Sequence, residues 1–187
     1  MTVQSAKSAK HSQTTITELM IPSYANFGGK IHGGILLSLM DKVAYACASK
    51  HAGNYCVTVS VDTVDFLMPV EVGDLVSLKA SVNYVGRSSL VVGIKVIAEN
   101  VKKGMVKHTN TSYFTMVAKD ESDKPTMVPP LMLESKEDIR RFVEAIDRKE
   151  IKRSSQNDMQ QSKQDWSLNK ALALVDGERC EVKIPEK

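Results

Sequence analysis

The stretch Asn26-Phe27-Gly28-Gly29-Lys30-Ile31-His32-Gly33-Gly34 runs without a break into Ile35-Leu36-Leu37-Ser38-Leu39-Met40-Asp41, and its reading decides the fold. Leu36, Met40, Val43 and Cys47 recur at helical spacing, joined by Ile35, Leu39 and Ala46. The pattern predicts a helix from Gly33 to about Lys50, with an apolar arc wide enough for a central, covered position. His51 followed by Gly53 supplies its end. Two glycine pairs ahead of such a helix leave backbone N–H groups open at its mouth. Asn26 adds an amide nearby, and Asp41 is the one acid within the apolar stretch. A site that polarises a carbonyl and activates a water needs those parts.

Outward from this helix, the chain reads as strands. Thr14 to Met20 is a first short strand ending near Pro22. Tyr55 to Phe66 alternates, with Val57, Val59 and Val61 on one side and Thr58, Ser60 and Asp62 on the other. Leu75 to Val85 follows, then the turn Gly86-Arg87-Ser88-Ser89. Leu90 to Glu99 is a near-continuous apolar run, predicting cover on both faces. Lys102-Lys103-Gly104 is a hairpin turn before a last long strand, Met105 to Ala118. One strand, one buried helix and four successive antiparallel strands predict an α+β domain over 14–133, with the sheet wrapped around the helix. Residues 1–13 read as a disordered tail and 134–187 as a helical extension. That extension begins with an amphipathic helix (Glu134 to Arg153) striped by Ile139, Phe142, Val143, Ile146 and Ile151. It continues as a polar linker (Ser154 to Gln164) and a short second helix within Trp166 to Val175.

Composition narrows the function. With 187 residues and 42% hydrophobic content the chain can bury one sizeable core. The net charge of +3 lies wholly before Glu134, since 12 basic and 12 acidic residues follow from there. That bias suits a small polyanionic ligand and lacks the dense basic stripe of a nucleic-acid binder. Cys47, Cys56 and Cys180 have no CxxC spacing, which predicts no metal site and a reducing compartment. No membrane span or signal peptide is read, so the cytoplasm is expected.

The residues resemble the hotdog-fold acyl-CoA thioesterases, in particular their hexameric acyl-CoA hydrolase branch. The resemblance covers residues 14–131. It rests on Asn26-x-x-Gly29-x-x-x-Gly33-Gly34, the helical Asp41, Val57-Thr-Val-Ser-Val-Asp62 and Phe66-x-x-Pro69. Val72-Gly73-Asp74, Gly86-Arg87-Ser88-Ser89, Val117-Ala118 and Val128-Pro129 continue it. It implies a five-stranded antiparallel sheet around the helix, subunits paired into one continuous sheet, and a dimer-based oligomer, most often a trimer of dimers. It implies an acyl-CoA substrate at the dimer interface, with no cofactor beyond the CoA carried by the substrate. The catalytic amide and carboxylate then fall on Asn26 and Asp41, from different subunits, with Asn26 of one facing the helix start and Asp41 of the other.

Thioester hydrolysis develops negative charge on the carbonyl oxygen, and donors aimed at that oxygen contribute most. The Gly34 N–H is the expected oxyanion donor, with Gly33 letting the ligand approach closely. Asp41 acts as general base on water or as nucleophile; the sequence leaves both open. His32 is expected to position substrate or structure. Arg87, Ser88 and Ser89 are the expected CoA contact, a guanidinium fork and two hydroxyls at one turn. Lys102, Lys103 and Lys107 are further candidates for the 3′-phosphate end. A non-catalytic acyl-CoA sensor or scaffold of the same fold is the alternative.

Overall fold

The computed structural model describes residues 5–184. Two short elements come first, β1 (Lys7–Ser8) and α1 (Ala9–Ser12), then β2 (Thr14–Leu19) and a 3-10 turn over Pro22–Tyr24. The central helix α2 (Gly33–Ala52) precedes β3 (Tyr55–Val61), β4 (Leu75–Val85), β5 (Ser89–Asn100) and β6 (Met105–Lys119). A two-residue strand β7 (Leu131–Met132) leads to α3 (Lys136–Gln164) and α4 (Leu168–Val175). The main sheet is antiparallel throughout, in the order β2-β4-β5-β6-β3. This is the expected hotdog arrangement, with β3 and β2 as the two edges.

The helix fills the concave side because its apolar arc is nearly continuous. Met40, Val43, Ala44, Cys47 and Ala48 are fully buried against Val76, Leu78, Leu90, Val96 and Met116 of the strands. Each large side chain buried this way contributes about 1.5–3 kcal/mol. Gly53 ends α2 in the left-handed region (φ 71°), and its N–H closes on Ser49 O at 2.8 Å. His51 Nε2–H donates to Pro129 O (3.0 Å), tying the helix end to the closing segment. Burial lowers the His51 pKa and keeps the ring neutral. Burial likewise pushes the Cys47 thiol up to about 12, as suits a packing residue.

The sheet curls by means of three register shifts among the described residues, which insert Val59, Asn83 and Thr109 as extra residues. Such bulges bend a strand and increase its twist. The one at Val59 overturns the expected single valine face. Val57 pairs with Val117 on the outer side, whereas Val61 pairs with Phe114 of the core row. Beyond Val61 the chain leaves the ladder, so the strand stops short of Phe66. The β5 run is covered fully on one face only, Lys95 being exposed on the other.

Two further expectations fail in the termini. Within the stretch read as a disordered tail, residues 7–12 are ordered by long-range bonds; residues 1–4 lie outside the described residues. Lys7 N–H donates to Pro130 O (2.9 Å) and Lys7 Nζ to His51 O (2.8 Å). Ser8 Oγ donates to Glu134 Oε2 (2.6 Å), while Ala9 and Ser12 are buried. The polar stretch Ser154 to Gln164 is not a linker: α3 runs through it, and its four glutamines, Met159 and Lys163 lose little side-chain freedom in a helix, offsetting the serines, Asn157 and Asp158 among them. The chain divides into two compact units, one ending at Ala145 and one beginning at Ile146, inside α3 rather than at Glu134. The early turns of α3 belong to the first unit. Ser135 and Asp138 cap that helix reciprocally, Phe142 packs on Tyr84 (5.0 Å between centroids), and Ala145 is buried. Ile139 and Val143 of the expected stripe stay exposed. The second unit holds the rest of α3 and α4; residues 185–187 of the expected extension lie outside the described residues. No helix among the described residues is long and apolar enough to cross a membrane.

Candidate active site

Asn26 sits in a closed loop. Its N–H donates to Lys30 O (2.7 Å), and its Oδ1 accepts from Gly28 N–H (2.9 Å) and Lys30 N–H (3.2 Å). Two backbone donors on one amide oxygen make this an Asx-type turn and leave the NH2 end to face outward. Gly29 takes φ +75° in that turn, where a side chain would be strained. The loop is fastened to the domain by Ile31 N–H to Val70 O (2.9 Å) and His32 N–H to Tyr24 O (2.8 Å). A Cβ on Gly33 would press on the Phe66 ring at 3.2 Å, so the ring lies over the helix mouth.

The Gly34 N–H is not open. His32 caps α2 through its own ring, with Nδ1 accepting from Gly34 N–H at 2.8 Å. The ring lies so close that a Cβ on Gly34 would meet it at 2.9 Å. The bond requires an unprotonated Nδ1, which puts the ring proton on Nε2. His32 therefore occupies the donor that sequence reasoning gave to the thioester oxygen.

Asp41 lies exposed on α2, and Thr58 Oγ donates to its Oδ1 at 2.6 Å. Met116 Sδ stands 3.1 Å from the same hydroxyl, but the single proton goes to the carboxylate, the stronger, charged acceptor. The pair borders an open cavity of about 310 Å³ that Lys42, Tyr45, Tyr55 and Val57 also line. Sequence reasoning grouped Thr58 with the polar side of β3 and gave it no role. The usable signal was a hydroxyl on the strand beside the helical acid.

The helix rise separates Gly34 from Asp41 by about 10 Å along the axis. The helix mouth and Asp41 of one chain are thus too far apart to contact one carbonyl oxygen directly, and a water would have to bridge them. Gly34, His32 and Gly33 go with Asn26, while Asp41 goes with Thr58. Arg87 and Ser88 lie in the β4–β5 turn and Ser89 begins β5, with Val128 N–H on Arg87 O (3.0 Å) and Ala118 N–H on Ser88 O (2.9 Å). That turn shares a sheet end with the carboxylate: Thr58 pairs with Met116, and Met116 with Leu90. Lys102 and Lys103 lie at the opposite end of β5, and Lys107 is held by Asp74 (3.3 Å).

The family profile described as Thioesterase superfamily matches residues 28–105. A Helicobacter pylori protein, VdlD, is 44% identical over 144 residues, covering 77% of this chain and 82% of its own. A solved apo hexameric acyl-CoA thioesterase is 36% identical with a TM-score of 0.78, covering 81% of this chain and 97% of that one. The chain belongs to the thioesterase superfamily. Another superfamily structure is the Staphylococcus aureus acyl-CoA hydrolase in complex with butyryl coenzyme A, coenzyme A and coenzyme A disulfide. It is 31% identical, with a TM-score of 0.76, covering 85% of this chain and 97% of that one. The same hydrolase has been solved with an asparagine, an aspartate or a threonine replaced by alanine. In that protein the asparagine precedes the aspartate by 15 positions and the aspartate precedes the threonine by 17. Asn26, Asp41 and Thr58 have the same residue types at the same spacings.

Proposed function

We propose that this protein hydrolyses acyl-CoA thioesters to a carboxylic acid and free CoA. The observation that carries the reading is the Asp41 carboxylate, fixed at one oxygen by Thr58 while the other faces an open cavity. In the proposed reaction the thioester carbonyl approaches the helix mouth of one subunit, displacing the His32 ring from Gly34 N–H. The Asn26 NH2 group donates to the same oxygen or orients the water. From the other subunit, Asp41 Oδ2 takes a proton from water, and the resulting hydroxide adds to the carbonyl carbon. Charge builds on the oxygen, where the N-terminus of α2 and the Gly34 N–H stabilise it. Collapse of the tetrahedral intermediate breaks the C–S bond, and the CoA thiolate takes the proton from Asp41. General-base catalysis is preferred to an anhydride because the Thr58 bond holds the carboxylate to one side and leaves a single oxygen for water. Arg87, Ser88 and Ser89 would hold CoA oxygens near the Asp41 end.

The separation of the two half-sites along α2 supports a site shared between subunits, and the hexameric relative supports a trimer of dimers here. The test is thiol release from a panel of acyl-CoAs by Asn26→Ala, Asp41→Ala and an equal mixture of the two, dissociated and reassembled. Each variant alone should be inactive. Half the dimers in the mixture pair unlike chains, and each of these keeps one intact site of two, so about a quarter of wild-type activity returns. A mixture as inactive as its components would refute the shared site. Tight acyl-CoA binding by wild-type protein with no turnover on any chain length would instead favour the sensor.

A further inference from the structure

The outer face of the sheet, opposite α2, carries a row of residues paired directly across four strands: Thr15 on β2, Lys79 on β4, Lys95 on β5 and Thr111 on β6. Two ammonium groups directly opposed on neighbouring strands repel each other. Neither lysine is paired with a carboxylate among the described residues. In the next row Ser81, Gly93 and Tyr113 are aligned, and Asn83 lies over the glycine as the extra residue of the β4 bulge. A Cβ on Gly93 would collide with the Asn83 amide, so the glycine makes room for that side chain. Asn83 is only 6% exposed, yet its Oδ1 has no hydrogen-bond partner. Buried acceptors are almost always satisfied, so this one calls for a donor.

The early turns of α3 close the far side of the same cavity, whose volume is about 530 Å³, within the range of small-molecule sites. Arg140 bonds both Glu137 and Glu144, and Arg141 bonds Glu137 (2.8 Å), so the two acids of the wall are already occupied. What remains is the lysine pair, flanked by hydroxyls, beside one unsatisfied amide oxygen.

We propose that this groove binds a small phosphate-bearing molecule that also carries an N–H donor. The phosphate bridges Lys79 and Lys95 and accepts from Thr15 and Thr111, and the ligand's N–H meets Asn83 Oδ1. Phosphate fits better than a carboxylate because its charge approaches −2 and it offers three terminal acceptor oxygens to two cations and two hydroxyls. The site is on the opposite face of the sheet from Asp41 and does not depend on the proposed hydrolysis.

The test is calorimetric titration of the full chain with inorganic pyrophosphate and with O-phosphoethanolamine, in the absence and presence of saturating CoA. Both probes should bind with CoA present. Lys79→Ala with Lys95→Ala should weaken both by about tenfold or more. Asn83→Ala should weaken phosphoethanolamine several-fold while leaving pyrophosphate unchanged, a split that general unfolding would not produce. The two lysines are exposed and repel each other, so their substitution should not lower the thermal midpoint and should leave thioesterase activity as it was. No binding by wild-type protein, equal affinity in the lysine variant, or complete displacement by CoA would each overturn the proposal. Absence of binding together with a changed oligomer mass in the lysine variant would assign the row to a contact between copies instead.

Discussion

Asp41 and Asp74 lie on the same domain and differ in what surrounds the carboxylate. Asp74, at the start of β4, is fully buried. Its Oδ2 takes Glu71 N–H (3.0 Å) and faces Lys107 Nζ (3.3 Å), while Oδ1 takes Asn100 Nδ2–H (3.0 Å). Burial works against its charge, but those donors prevail and hold its carboxyl below the usual carboxylate range. Asp41 is exposed and has one hydroxyl on one oxygen. A buried carboxylate with both oxygens bonded by its own chain can only hold that chain together. One left half-satisfied beside a cavity remains able to take a proton from something else.

The contrast makes its largest claim about turnover. Asp41→Asn should lower kcat by about a thousandfold or more, with the urea midpoint unchanged, because the substitution removes the base and keeps the shape. Loss of stability comparable to the loss of activity would erase the distinction. Asp74→Ala should do the reverse, costing about 3 kcal/mol in urea unfolding by leaving Lys107 and Asn100 without their partner. Residual folded protein should turn over normally, which steady-state assays below the melting transition can read. Thr58→Val preserves volume and removes the proton that fixes Asp41, so kcat should fall by roughly tenfold to a hundredfold with little change in KM.

The smallest effect is in pH. A carboxyl with a depressed folded pKa contributes stability that is complete above its unfolded value, about 4, and that is lost as pH falls through the folded value. Wild-type stability should therefore decline with acid below about pH 4, and Asp74→Asn should decline less steeply over the same interval. Parallel slopes in urea titrations from pH 5 to pH 3 would mean that Asp74 contributes nothing to the acid sensitivity.

The same two residues show what was legible. The helix, its glycine mouth and Asp41 stood out because apolar spacing and a lone acid are local signals. Asp74 was visible only as part of Val72-Gly73-Asp74, since its partners Asn100 and Lys107 come from distant strands. Thr58 was hidden for a similar reason: its meaning depends on which strand lies beside α2, and no periodicity carries that. His32 was expected to position substrate or structure, but not as the helix cap, because histidine is not among the usual capping side chains. Lys7 to Ser12 looked disordered since its bonds reach Pro130, His51 and Glu134, far along the chain. Of the strand order, only the run β4-β5-β6 followed from short turns and successive antiparallel strands; β3 pairs with β6 and β2 with β4 across long connections that no local signal marks.

The extra residue at Val59 has a consequence for how the half-site is inherited. Val59 is 55% exposed and has no partner in the β3–β6 ladder. In a regular ladder Thr58 and Val61, three positions apart, would face opposite sides of the sheet; with Val59 as the unpaired extra residue, Thr58 stays opposite Met116 and Val61 opposite Phe114, on one face. The geometry of the candidate site is thus written partly as an irregularity: one residue that pairs with nothing lets a hydroxyl for the helical acid and a valine for the core share a face that strict alternation would deny them.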